Sequence, residues 1–80
     1  LLDGEYEFIE AEILEKSDLL NKKIKDANFP ENMRVGAIVR KNKVLIPRSD
    51  FSFEKNDLVI FLAKRENLKE LEDIFSVSSI

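Results

Sequence analysis

Residues 33–47 read Met33-Arg34-Val35-Gly36-Ala37-Ile38-Val39-Arg40-Lys41-Asn42-Lys43-Val44-Leu45-Ile46-Pro47. Two apolar runs flank Lys41-Asn42, the pattern of a two-residue hairpin loop. That loop fixes the register: Arg40 faces Lys43, Val39 faces Val44, Ile38 faces Leu45 and Ala37 faces Ile46. Side chains alternate across a strand. Ala37, Val39, Val44 and Ile46 therefore share one face, and Ile38 and Leu45 share the other. Both faces are apolar near the hairpin middle. One is expected to pack on the helices of the same chain. The other needs a second cover that so short a chain has little left to supply. Ile38 and Leu45 are assigned to that dimer or inter-domain surface.

Downstream, Pro47 lacks an N–H, so the second hairpin strand ends there or lies on an edge. Residues 48–56 form a loop carrying Phe51 and Phe53, closed by the turn signal Asn56-Asp57. Leu58-Val59-Ile60-Phe61-Leu62-Ala63 is a continuous apolar run, expected as a central strand covered on both sides. Asn67 and Glu70 have the spacing of a capping box before a last helix with Leu68, Leu71 and Phe75 on its stripe.

Upstream, residues 7–14 alternate as one strand. Residues 17–27 read as a turn and short helix with Leu20, Ile24 and Ala27 on one stripe. Either Ser17 caps an early start, or Asn21 takes a left-handed conformation and the helix begins after it. Pro30 ends it at Phe29. The fold class is α+β: a small β-α-β-β-β-α domain with a mixed, mostly antiparallel sheet and helices packed on it. The chain is one domain over 1–80, with 1–6 a linker stub and 76–80 a frayed tail. It opens on Leu rather than Met and in mid-pattern, which suggests a piece of a longer protein.

Composition narrows the chemistry. Eighty residues support one core, and small cores often lean on disulfides, metals or association. Cys and His are both absent, which leaves association and removes thiol nucleophiles, imidazole bases and ordinary zinc sites. No catalytic motif is present, so no catalytic residue is assigned and the chain is read as a non-enzyme. Asp50, Glu54 and Asp57 match no cation-binding loop spacing, so no metal site is assigned. The net charge of −3, with acids interleaved around Lys41 and Lys43, argues against nucleic acid. The longest apolar run is far too short to cross a membrane, and the N-terminus has no basic leader region. The expected location is the cytoplasm.

Three pieces then carry a resemblance. Ser17-x-Leu19-x-Asn21-Lys22-x-Ile24 is similar to a family pattern with Gly in place of Asn21. Val35-Gly36-Ala37-Ile38-Val39-Arg40 is followed by Val44-Leu45-Ile46-Pro47-Arg48. Asn56-Asp57-Leu58-Val59-Ile60 is similar to a Gly-Asp turn before the family's last apolar strand. In this order, across roughly residues 8–75, they resemble the TrkA C-terminal family, the C-lobe of RCK domains. The Ile-Val-Arg and Ile-Pro-Arg-x-Asp pieces look most like the family's potassium-uptake branch.

The resemblance implies a ligand-sensing, dimerising regulatory domain that gates potassium transport at the inner face of the membrane. Its partners would be a second copy and a membrane potassium transporter, without direct membrane insertion. NAD or ATP would belong to an upstream Rossmann lobe, because no Gly-rich fingerprint exists here. Some relatives bind cyclic di-AMP. The region matching their cleft is Ala27 and Asn28 with Ile46 and Pro47, and Arg40 and Arg48 lie close enough in sequence to offer phosphate contacts. The alternative is a purely structural dimerisation domain, without ligand, appended to another cation transporter or antiporter.

Overall fold

Lys41 and Asn42 hold φ of 51° and 64°. This is the mirror-image turn whose twist suits a tight hairpin. The computed structural model describes residues 5–79, with side chains omitted at 74 and 76–79. The hairpin joins β2 (Met33–Arg40) to β3 (Lys43–Leu45) in the expected register, Ile38 opposite Leu45 and Val39 opposite Val44. β1 (Tyr6–Glu12), β4 (Leu58–Lys64), α1 (Leu68–Ile74) and β5 (Ser76–Ser79) complete the fold. The sheet order is β3-β2-β4-β1-β5, with every neighbouring pair antiparallel.

A β-bulge at Gly36 sets the phase of β2. Val35 pairs with Phe61, but Ala37 pairs with Ile60, leaving Gly36 as the extra residue. An inserted residue flips the alternation. Met33 and Val35 therefore reach the core side before the bulge, and Ile38 reaches it after. Without the bulge, Ile38 would point away from Met33 and Val35.

One face of the sheet carries the core. Ile9, Ala11, Met33, Ile38, Val59, Phe61 and Ala63 are buried there, covered by Leu19, Phe53, Leu71 and Phe75. The Phe29 ring lies among three others, with centroids 6.1 Å from Phe53, 5.3 Å from Phe61 and 6.0 Å from Phe75. Edge and offset ring contacts of this kind add to the area term.

Four sequence expectations are corrected. No α-helix forms over 17–27; a short 3₁₀ turn (Ile24–Asp26) remains. Asn21 has φ 66°, which stops a helix before it starts. The N–H groups of Asn21, Ile24 and Lys25 donate to Phe53, Phe51 and Ser49 instead of to a helical turn. Leu20, Ile24 and Ala27 still pack on the core. Second, 76–79 is not frayed but pairs with β1 as an edge strand, and Tyr6 belongs to β1 rather than to a linker; residues 1–4 lie outside the described residues. Third, β4 is central but covered on one face: its residues alternate between buried and half-exposed. Fourth, Asn67 makes no side-chain cap; its amide donates to Glu70 Oε1 at 3.2 Å.

Asn21 and Asn56 both hold positive φ, 66° and 72°. A Cβ costs about 1 kcal/mol there, and Asn lowers that cost by local hydrogen bonding. Asn56→Ala is therefore expected to destabilise the chain by about 1 kcal/mol, and Asn56→Gly to leave it unchanged or slightly steadier. Urea unfolding of the two variants checks this, and equal midpoints for both would contradict it.

Candidate functional site

The segment after Asn21 runs against the loop after β3. Asn21 N–H donates to the Phe53 carbonyl at 2.8 Å, and Phe53 N–H to the Lys22 carbonyl at 3.1 Å. Ile24 N–H reaches the Phe51 carbonyl at 2.9 Å, and Lys25 N–H the Ser49 carbonyl at 3.0 Å. Lys23 and Ser52 are bridged in antiparallel sense. The ladder ends at Lys25 and Ser49, two residues before Ala27 and one after Arg48 in sequence.

The sequence-assigned residues beyond the end of the ladder differ in exposure. Ala27 is half-buried on the core, and its N–H donates to the Ile24 carbonyl at 3.1 Å. Asn28 is exposed with φ 52°. Ile46 is 78% exposed, an unusual placement for an Ile beside a strand. Pro47 is half-buried and Arg48 exposed. Among the described residues the Arg48 side chain has no ion pair or hydrogen bond. An exposed aliphatic side chain suits a flat apolar ring, and a free guanidinium suits an anionic group.

Arg40 is engaged by the 51–57 loop. Its Nε and Nη2 donate to the two Asp57 oxygens, both at 2.7 Å. Nη2 also donates to the Ser52 carbonyl at 3.0 Å, and Nη1 meets Glu54 Oε2 at 2.8 Å. The guanidinium lies over the Phe51 ring, 4.6 Å from its centroid. Every guanidinium nitrogen is thus engaged. Arg40 clasps the end of β2 to the 51–57 loop instead of reaching out for a phosphate. Its hydrogen bonds to Asp57 raise its pKa above the ordinary Arg value, against the opposing effect of burial.

Asp57, which sequence reasoning gave only a turn role, is the buried half of this clasp at 1% exposure. It also accepts from Glu54 N–H at 2.8 Å. With Glu54 and Asp57 both turned to Arg40, the acids of this loop are not arranged for a cation. Among the described residues no cluster of three metal-ligating side chains occurs. The signal for the clasp was an Arg ending one apolar strand and an Asp opening another.

The assignment of Ile38 and Leu45 to a dimer surface is overturned. Ile38 is fully buried by its own chain, and Leu45 is half-buried against the same core. The hairpin is apolar on both faces as expected, but the uncovered face is the opposite one. Val44 is 69% exposed there, beside half-exposed Ala37 and Val39 on β2. Leu58, Ile60 and Leu62 of β4 and exposed Phe8 of β1 continue the patch across the sheet.

An all-antiparallel sheet backed on one face defines a small α+β domain rather than a Rossmann lobe, whose sheet is parallel. The sequence matches the TrkA-C domain family over residues 8–76, and the chain belongs to that family. It is 40% identical over 98% of its length to the Trk system potassium uptake protein TrkA of Azorhizobium caulinodans. It is 36% identical over 79% of its length to a TrkA homolog of Archaeoglobus fulgidus. It spans only 17% and 14% of those two proteins.

Two solved structures share the fold. An RCK domain solved "with cda" superposes with a TM-score of 0.76 at 20% identity, covering 86% of this chain and 97% of that one. The RCK C domain of the potassium transport protein KtrA, in complex with cyclic di-AMP, superposes with a TM-score of 0.74 at 23% identity, covering 90% and 86%. Among the described residues no helix is long and apolar enough to cross a membrane.

Proposed function

We propose that this chain is a ligand-sensing, dimerising regulatory domain of a Trk-type potassium uptake system, and not an enzyme. It works on the cytoplasmic side, held at the inner face of the membrane through the transporter it controls. NAD or ATP binds a separate lobe of the longer protein. Family membership and the potassium-uptake relatives support the setting.

The effector we assign is cyclic di-AMP, taken at the corner of Ala27, Asn28, Ile46, Pro47 and Arg48. The observation that carries this is Ile46: an aliphatic side chain left 78% exposed next to an unpaired Arg48. Adenine would lie on Ile46 and Pro47, and Arg48 would meet a phosphate. Arg40 acts at one remove, holding the 51–57 loop that supports the ladder.

Cyclic di-AMP at about 100 times its dissociation constant is expected to stabilise the chain by about 2.7 kcal/mol. At about 4–8 °C per kcal/mol for a domain of this size, the melting temperature rises by roughly 10–20 °C. Arg48→Glu and Ile46→Asp abolish the shift while melting close to the wild type alone. Differential scanning calorimetry reads all three. No shift in the wild type would refute the effector assignment and favour the second reading, a dimerisation domain without ligand, which the uncovered sheet face supports equally well.

A further inference from the structure

Leu19 and Met33 are buried, but none of residues 20–32 between them is. We infer that residues 20–28 are a strap that opens as a unit, and that the Arg40–Asp57 clasp is the latch that holds it closed. Ala27 and Asn28 ride on this strap, so its closed form is the one competent for a ligand there. That consequence rests on the effector reading above; the latch itself does not.

The strap is tied in one direction. Among the described residues, the backbone hydrogen bonds that 20–28 makes beyond its own turns all go to the 49–53 loop. Its apolar side chains, Leu20, Ile24 and Ala27, are only partly buried. Few buried contacts and an exposed backbone mark a segment that opens well below the free energy of global unfolding. Asn21, at φ 66°, sets a bend where the strap begins.

The loop that holds the strap is held in turn by Arg40. Carbonyls of an extended segment point alternately to its two edges. The Phe51 and Phe53 carbonyls accept from Ile24 and Asn21 of the strap, at 2.9 and 2.8 Å. The Ser52 carbonyl, between them in sequence, accepts from Arg40 Nη2 at 3.0 Å. Arg40 thus stands where a neighbouring strand would, with the loop between it and the strap. The same guanidinium lies 4.6 Å from the Phe51 ring centroid.

Asp57 ties this arrangement to the sheet. It receives Arg40 Nε and Nη2, both at 2.7 Å. Its carbonyl accepts from Ile13 N–H at 2.9 Å, just beyond the end of β1. Phe53 is anchored by its own burial. The part of the loop that depends on the latch is therefore 49–52, opposite Ile24 and Lys25. A lysine at position 40 would keep the charge without the fork, and could not meet both Asp57 oxygens, the Ser52 carbonyl and the Phe51 ring together.

Amide hydrogen exchange, followed by NMR on the ligand-free chain, tests the latch. In the wild type, the Asn21, Ile24 and Lys25 amides are expected to exchange faster than those of β4, which wait for global unfolding. Arg40→Lys is expected to speed the three strap amides by about tenfold or more relative to β4. Arg40→Met/Asp57→Leu removes the buried charge along with its partner, so melting recovers toward the wild type. Its strap amides stay fast, because the Ser52 carbonyl still lacks its donor. Strap amides as slow as β4 in the wild type would overturn the proposal. So would strap and β4 amides that speed up by one common factor in Arg40→Lys, since the clasp would then serve global stability alone. A double variant with wild-type strap exchange would do the same. No nucleotide enters the experiment, so its failure leaves the effector assignment standing, and a failed effector assignment leaves the latch.

Discussion

Arg40→Met is expected to lower the unfolding free energy by about 3–5 kcal/mol, because it strands the Asp57 carboxylate in the interior without its counter-ion. Asp57 is 1% exposed and receives both guanidinium donors at 2.7 Å. A domain of this size has total stability of only about 4–12 kcal/mol, so the variant is marginal at room temperature. Guanidinium unfolding measures the loss. Pairing the change with Asp57→Leu removes the stranded charge and should recover much of it, since a buried ion pair replaced on both sides is often near neutral. A single variant as stable as the wild type would show that the clasp contributes nothing. Arg40's raised pKa also gives a sign: its charge-dependent contribution is complete below the ordinary Arg range and is lost only as pH rises through the raised value. Mildly alkaline buffers therefore leave the clasp intact.

The second large effect is at Phe61. Its side chain is fully buried on the central strand, with ring centroids 5.3 Å from Phe29 and 5.2 Å from Phe75. Phe61→Ala is expected to cost about 3–5 kcal/mol, from lost transfer energy plus the cavity left behind. The next residue gives the contrast. Leu62 points to the uncovered face, so Leu62→Ala should cost well under half as much in dilute solution, where that face is bare. A Leu62→Ala loss equal to that of Phe61→Ala would mean that both faces of β4 are closed within one chain.

These contrasts show what the sequence made legible. The hairpin register was readable because a two-residue loop leaves one pairing, and Lys41 and Asn42 adopt the required backbone. The two-faced apolar character followed from simple alternation. Which face is covered did not, because that depends on the phase between the hairpin and the start of β2. The bulge at Gly36 resets that phase, and Gly within a strand was the available hint. Residues 17–27 carried a helical stripe whose side chains do reach the core, while their backbone is spent on the 49–53 loop. Periodicity reports the side chains and is blind to that competing partner. β5 was missed because Ser76-Val77-Ser78-Ser79 has no apolar run; it pairs through backbone at an edge.

The candidate corner was partly legible for a similar reason. Ala27, Asn28, Ile46 and Pro47 were singled out by resemblance and Arg48 by closeness in sequence, and the ladder from Asn21 to Lys25 joins the segments that flank them as far as Ser49. Arg40 was grouped with them by closeness in sequence. A bidentate partner seventeen positions away, Asp57, holds it on the 51–57 loop.

Isothermal titration of the wild-type chain with cyclic di-AMP, with sedimentation run on the same samples, bears most directly on a sensor shared between two copies. One nucleotide bound per two chains, with the monomer converted to dimer as it binds, is the outcome expected. Heat-silent titration, or saturation at one nucleotide per chain with no change in sedimentation, would contradict it.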